Sequence, residues 1–158
     1  MPVGAYGGKQ AIMDFVSPVG PVFQAGTLSG NPVAMAAGHA MLQYLQEHPT
    51  IYSLLEATTK SIVKGFQNNM QKLGLNYTIN AIGSFFSLFF TEGEVKDFED
   101  AKKVDKALFG KYFHAMLQQG IYLAPSSFET LFVSTAITEA HVAQLVEANF
   151  RALKSIHE

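Results

Sequence analysis

Apolar positions recur at helical spacing through the first half of the chain and give way to strand-like runs after Gly74. The first clear helix starts at Asn31-Pro32, where asparagine suits an N-cap and proline suits the first helical position. Its apolar side runs Ala36, Ala37, Ala40, Met41, Tyr44 and Leu45, with small residues crowding the first half. His48-Pro49 closes it, because a residue before proline is pushed out of the α region. Thr50 then opens a second long helix with the stripe Leu55, Ile62, Phe66, Met70 and Leu73, ending at Gly74 as a left-handed C-terminal residue.

Beyond Gly74 two β-rich runs, Tyr77 to Ile82 and Ser84 to Thr91, are joined through Gly83. The second is apolar on both faces, which predicts a central strand covered on both sides. The phenylalanines between 85 and 132 read as core, because no basic residues alternate with them as a stacking platform would require. Asp97 opens a helix whose stripe Ala101, Val104, Leu108, Tyr112 and Met116 runs on to Gly120. A short strand over Ile121 to Pro125, a polar loop over Ser126 to Thr130 and a strand over Leu131 to Ile137 follow. A last helix from Thr138-Glu139 carries Val142, Leu145, Val146, Asn149, Leu153 and Ile156. The order β-β-α-β-β-α predicts a small α+β domain with helices on one face of a mainly antiparallel sheet.

The N-terminal residues are less regular. Residues 2 to 7 suggest a short strand closed by a turn at Gly7-Gly8, and Lys9 to Val16 a short helix. Ser17-Pro18-Val19-Gly20-Pro21 breaks any helix, and Val22 to Gln24 is an extended run. Because Met1 to Gly8 reads as the middle of a strand and turn, the chain is expected to be a piece of something longer.

Composition narrows the function classes. At 158 residues, 48% hydrophobic and 15% charged, the chain can bury a core. A net charge of −2 without a basic block gives nucleic-acid binding little support. Lys60, Lys64 and Lys72 read as solvated. The absence of cysteine removes disulfides, thiolate metal sites and cysteine nucleophiles. With no apolar run of about 18 residues and no signal-peptide pattern, a soluble cytoplasmic protein is the expectation.

One stretch looks built for a ligand: Gln24-Ala25-Gly26-Thr27-Leu28-Ser29-Gly30-Asn31-Pro32. Gly26 and Gly30 permit positive φ or close approach, and Thr27 and Ser29 place hydroxyls beside free backbone N–H groups, a combination suited to phosphate. From the residues alone the stretch reads first as an ordinary loop whose hydroxyls satisfy local backbone groups. It is not a Walker A loop, since no Gly-Lys-Ser/Thr follows. The small residues of the next helix likewise serve either tight helix packing or a cofactor.

Three stretches together carry a resemblance: Met1 to Lys9, Gln24 to Pro32, and Tyr122-Leu123-Ala124-Pro125-Ser126-Ser127-Phe128-Glu129. They resemble the C-terminal part of the glutamate-1-semialdehyde 2,1-aminomutases, pyridoxal-phosphate enzymes of the class III aminotransferase group, over essentially the whole chain. Gly-Thr followed by Asn-Pro is similar across the group. Ala-Pro-Ser-x-Phe-Glu, with Gly83-Ser84-Phe85-Phe86 and Phe98-Glu99-Asp100-Ala101, points to the aminomutases in particular.

The resemblance implies an α/β fold-type I subunit. Residues 1–73 would be the end of the cofactor-binding large domain with its connecting helices, and 74–158 the small α+β C-terminal domain. It implies pyridoxal 5'-phosphate, exchanging with pyridoxamine 5'-phosphate, and a homodimer with cofactor sites at the subunit interface. Thr27, with Gly26, would contact the cofactor phosphate of the opposite subunit, and Glu129 would bind substrate near the entrance. The family's Schiff-base lysine falls before the position of Met1, so the resemblance implies no catalytic residue in this chain. Lys9, after the Gly-Gly turn, does not match it. The reaction implied is isomerisation of glutamate-1-semialdehyde to 5-aminolevulinate for tetrapyrrole synthesis. The alternatives are another class III aminotransferase or a non-catalytic dimerisation module.

Overall fold

The structure, a computed structural model, describes residues 3–158. The chain divides between Pro49 and Thr50 into two compact units.

In the first unit, α1 (Gln10–Met13) is a single turn, and α2 (Pro32–Glu47) starts where Asn31 and Pro32 predict. Pro2 lies outside the described residues, and Val3 to Tyr6 form no strand, contrary to the expected strand over 2 to 7. A strand needs a ladder partner, and among the described residues this segment has none. Val3 instead packs on α2 at Gly38, where an added Cβ would stand 3.2 Å from Val3 Cγ1. That contact is one use of the small residues in the first half of α2. The break at Ser17 to Pro21 is closed by hydrogen bonds from Ser17 N–H to Val22 O (2.8 Å) and from Val22 N–H to Phe15 O (2.8 Å). Ala34 is the buried residue of α2, and Met41 and Tyr44 are exposed.

The second unit holds α3 (Thr50–Leu73), β1 (Thr78–Ile82), β2 (Phe85–Phe89), α4 (Phe98–Ala101), α5 (Lys106–Gln118), β3 (Leu131–Phe132) and α6 (Glu139–Ser155). By packing, α3 belongs with the residues after Gly74, although the texture of the sequence changes at that glycine. The sheet order is β1-β2-β3, antiparallel throughout. Ile82 pairs with Phe85 across the two-residue turn Gly83-Ser84, and Gly83 has φ 53°, a left-handed conformation that favours glycine.

β2 is central as predicted, but it is covered on one face only. Phe86, Leu88 and Phe90 are buried, whereas Ser87 and Phe89 are half-buried and Phe85 is exposed. The reason is layering: α3, α5 and α6 all contribute to the one core cluster that receives Phe86, Leu88 and Phe90. The expectation of an all-core phenylalanine set fails with it, since Phe132 is 76% and Phe98 63% exposed.

Three further expectations change. The single helix from Asp97 to Gly120 is two helices, because Asp105 turns its N–H to Phe90 O (3.0 Å) and its carboxylate caps α5 by accepting from Leu108 N–H (2.9 Å). Residues 121–125 form no strand, because Ile121 N–H is spent closing α5 at Met116 O (3.0 Å) and Leu123 turns into the core. The strand from Leu131 stops at Phe132, with one more pairing bond from Val133 N–H to Ser84 O. The chain then bends where Ile137 N–H meets Ser134 O (3.1 Å).

The three long helices of this unit share a buried polar relay. Asn69 of α3 donates from Nδ2 to Val146 O (2.7 Å) and to Asn149 Oδ1 (2.9 Å), both on α6. Asn149 Nδ2 donates to the Tyr112 hydroxyl of α5 (2.8 Å). Gly65 makes this approach possible, because a Cβ there would stand 2.4 Å from Val146 Cγ2. Burial holds the Tyr112 phenol well above the usual tyrosine range.

Unfolded tyrosine ionises at about pH 10. The folded phenol keeps its proton where the unfolded one releases it, so its contribution to stability is full below that pH and is lost as pH rises. Urea unfolding should therefore weaken more steeply above about pH 10 in the native chain than in Tyr112→Phe. Equal slopes would contradict the burial of the phenol.

Candidate functional site

The stretch from Gln24 to Gly30 lies wholly exposed on the first unit. Two turn bonds shape it, Ser29 N–H to Gly26 O (2.9 Å) and Asn31 N–H to Leu28 O (3.1 Å), and Gly30 takes φ 72°. Gly26 sits close to its neighbour, since an added Cβ would stand 3.3 Å from Ser29 Oγ. Among the described residues, the N–H groups of Gly26, Thr27 and Leu28 have no backbone partner, and the Thr27 hydroxyl makes no hydrogen bond. The end of α2 is, by contrast, internally satisfied. Asn31 Oδ1 accepts from Val33 N–H and Ala34 N–H, both at 3.1 Å, and Pro32 has no donor. The free donors thus belong to the loop rather than to the helix terminus.

Glu129 lies on the second unit in the loop between α5 and β3. Its N–H bonds Ser126 O (3.1 Å), and Phe128 N–H bonds Ser126 Oγ (3.2 Å), so the backbone turns tightly beneath it. The loop is pinned from three directions. Thr130 Oγ1 accepts from Ser87 Oγ of β2 (3.2 Å), Lys106 Nζ of α5 stands 4.8 Å from the Phe128 ring centre, and Phe98 of α4 meets that ring at 5.8 Å. Glu129 itself is exposed and forms no ion pair among the described residues. It borders a groove of about 680 Å³ that also takes in Tyr122, Thr130, His141 and Gln144. An unpaired carboxylate on a fixed loop beside a groove can attract a cationic group.

Thr27 with Gly26 and Glu129 therefore fall in different units, each placed by its own local bonds. The supports of the Glu129 loop were not evident in the sequence. Ser87 and Lys106 carry no motif that marks them as its supports. Among the described residues no cluster of three metal-ligating side chains occurs, and no helix is long and apolar enough to cross a membrane.

The family described as aminotransferase class-III matches residues 1–153. The chain belongs to the class-III aminotransferase family. It is 55% identical over 157 residues to the glutamate-1-semialdehyde 2,1-aminomutase of Cytophaga hutchinsonii, covering 99% of this chain and 36% of that protein. It is 51% identical to that of Salinibacter ruber, again covering 99% and 36%. The chain thus spans about a third of the length of the curated relatives it matches. Among solved structures, an omega-transaminase from Sphaerobacter thermophilus superimposes with a TM-score of 0.76 at 22% identity, over 96% of this chain and 35% of that one. A β-phenylalanine aminotransferase from Variovorax paradoxus gives 0.72 at 27% identity, over 94% and 34%. The fold of this class-III chain is accordingly the α/β fold-type I that the resemblance implied.

If Asn31 rather than a ligand satisfies the start of α2, Asn31→Ala should loosen that helix end by about 1 kcal/mol. Amide hydrogen exchange at Val33 and Ala34 should quicken accordingly. Unchanged exchange there would show that the cap contributes nothing.

Proposed function

We propose that this chain is part of a glutamate-1-semialdehyde 2,1-aminomutase, which isomerises glutamate-1-semialdehyde to 5-aminolevulinate for tetrapyrrole synthesis. What carries the reading is the likeness to two proteins of that name at 55% and 51% identity across 99% of the chain, with an unpaired Glu129 on a pinned loop. The cofactor is pyridoxal 5'-phosphate, which supplies an electron sink and a carrier for the amino group.

The residues present suit a cofactor phosphate. Gly26 offers backbone with no side chain in the way, Thr27 an exposed and unengaged hydroxyl, and Gly26 to Leu28 unpaired N–H groups. Together they would hold the phosphate by short charge-assisted bonds without drawing on the capped helix end. In a homodimer, that loop completes the site of the opposite subunit. Glu129 holds the ammonium of the incoming substrate, and its fixed turn keeps the carboxylate at the groove rather than folded against its own backbone. The resemblance implies that the family's Schiff-base lysine is not among the lysines of this chain, and on that reading its part is to bind and orient. The protein works in the cytoplasm.

A different class-III aminotransferase is distinguished by its need for a second amino compound. Formation of 5-aminolevulinate from the semialdehyde by the full-length protein, without added amino donor, is the expected result. A strict requirement for a donor would overturn the assignment.

In the full-length protein, Thr27→Val should weaken cofactor retention by about 1 to 3 kcal/mol, the range for a bond to a charged group. Cofactor absorbance after dialysis measures it, and undiminished retention would refute the phosphate role. Glu129→Gln should lower kcat/KM about two- to tenfold through KM while cofactor content stays constant. Loss of cofactor in that variant would assign the carboxylate a different task.

A further inference from the structure

Two stretches that stand apart in the sequence meet ring to ring in the second unit. Phe98 opens the Phe98-Glu99-Asp100-Ala101 stretch on α4, Phe128 belongs to the Glu129 loop, and their ring centres are 5.8 Å apart at 48°. A lysine closes each end of this pair. Lys102 Nζ lies 5.6 Å from the centre of the Phe98 ring, and Lys106 Nζ lies 4.8 Å from that of Phe128. Both distances fall within the reach over which an aromatic face attracts a cation. Phe98 is 63% and Phe128 42% exposed, so apolar burial alone does not fix either ring.

The two lysines differ in what else they hold. Lys102 Nζ also meets Glu99 Oε2 at 2.6 Å, and the adjacent Lys103 pairs with Asp100 at 2.8 Å. Lys106 forms no ion pair among the described residues. Its place on the helix is also unfavourable for a cation. It is the first residue of α5, the first turn of that helix has no acidic side chain, and the partial positive charge of a helix start opposes an ammonium. The carboxylate of Asp105 just before it already serves as the cap, accepting from Leu108 N–H. Neither an ion pair nor the helix gives this ammonium a favourable contact, whereas the Phe128 ring does.

We propose that Lys106 is a positioning residue for Glu129, acting through the Phe128 ring. Phe128 and Glu129 share one tight turn, in which Ser126 Oγ accepts from Phe128 N–H and Ser126 O accepts from Glu129 N–H. Holding the ring between Phe98 and the Lys106 ammonium therefore holds the backbone that carries the carboxylate. The consequence for substrate rests on the role proposed above for Glu129, whereas the hold on the turn does not.

The test uses the full-length protein with Lys106→Met, which keeps most of the aliphatic stem and removes the charge, and Lys106→Arg, which restores a cation able to lie on the ring. Amide hydrogen exchange at Phe128 and Glu129 should quicken about two- to fivefold in Lys106→Met, the range for an exposed cation on a ring, and return towards native in Lys106→Arg. Unchanged exchange in Lys106→Met would overturn the proposal. In kinetics, Lys106→Met should raise KM by a similar factor with kcat and cofactor content constant, and should add nothing in a Glu129→Gln background. Additive effects of the two substitutions would show that Lys106 does not act through Glu129 and would also overturn it. Quickened exchange in Lys106→Met, together with a Glu129→Gln variant of native KM, would uphold the hold on the turn and remove only the substrate role of Glu129.

Discussion

The hydrogen bond from Asn69 Nδ2 to Val146 O is the constraint from which the second unit is arranged. A main-chain carbonyl cannot change its polarity, so this bond orients one side-chain amide, then the next, and then a phenol, on three different helices. An unpaired buried amide costs about 1 to 3 kcal/mol. The helix faces that meet at Gly65 and Val146 are consequently fixed in register as well as in contact. Apolar burial of Phe66, Met116 and Leu153 supplies most of the cohesion. The polar relay selects which apolar arrangement is adopted.

From that scaffold the Glu129 loop is reached in two steps. The core cluster takes Phe86 and Leu88 from β2 and Phe90 just beyond it, and so sets which face of the strand carries Ser87. Ser87 then bonds Thr130, beside Glu129, while α5 supplies both Lys106 against Phe128 and Tyr112 beneath Ser127. The loop on the first unit is made differently. Its two turn bonds use the N–H groups of Ser29 and Asn31 and leave those of Gly26, Thr27 and Leu28 without a backbone partner among the described residues. One candidate contact is held by packing beneath it, and the other is open because local bonds leave its donors free.

Much of this architecture could be read from the residues. The N-cap at Asn31, the turn at Gly83, the central place of β2 and the start of α6 at Thr138 all follow from local chemistry, and local chemistry survives folding unchanged. What misled was non-local. Residues 121–125 have strand composition but begin by closing α5 through Ile121 N–H to Met116 O, and the stripe from Ala101 to Met116 is periodic across a break that exists because Asp105 reaches Phe90. Asn149 and Tyr112 were read as members of their apolar stripes, and only the fold shows Asn149 as the shared partner of Asn69 and Tyr112 in a polar network. The exposed Phe132 and Phe98 repeat the lesson, since composition marks an aromatic as fit for burial without showing what would cover it.

The central claim about chemistry is that this chain contributes contacts to phosphate and substrate but not the covalent attachment of the cofactor. Borohydride reduction of the chain mixed with pyridoxal 5'-phosphate, followed by intact mass and peptide mapping, tests it directly, because reduction makes any lysine attachment permanent. The account predicts no single lysine that is selectively and stoichiometrically modified. A reduced pyridoxyl group confined to one position, Lys9 above all, would contradict it.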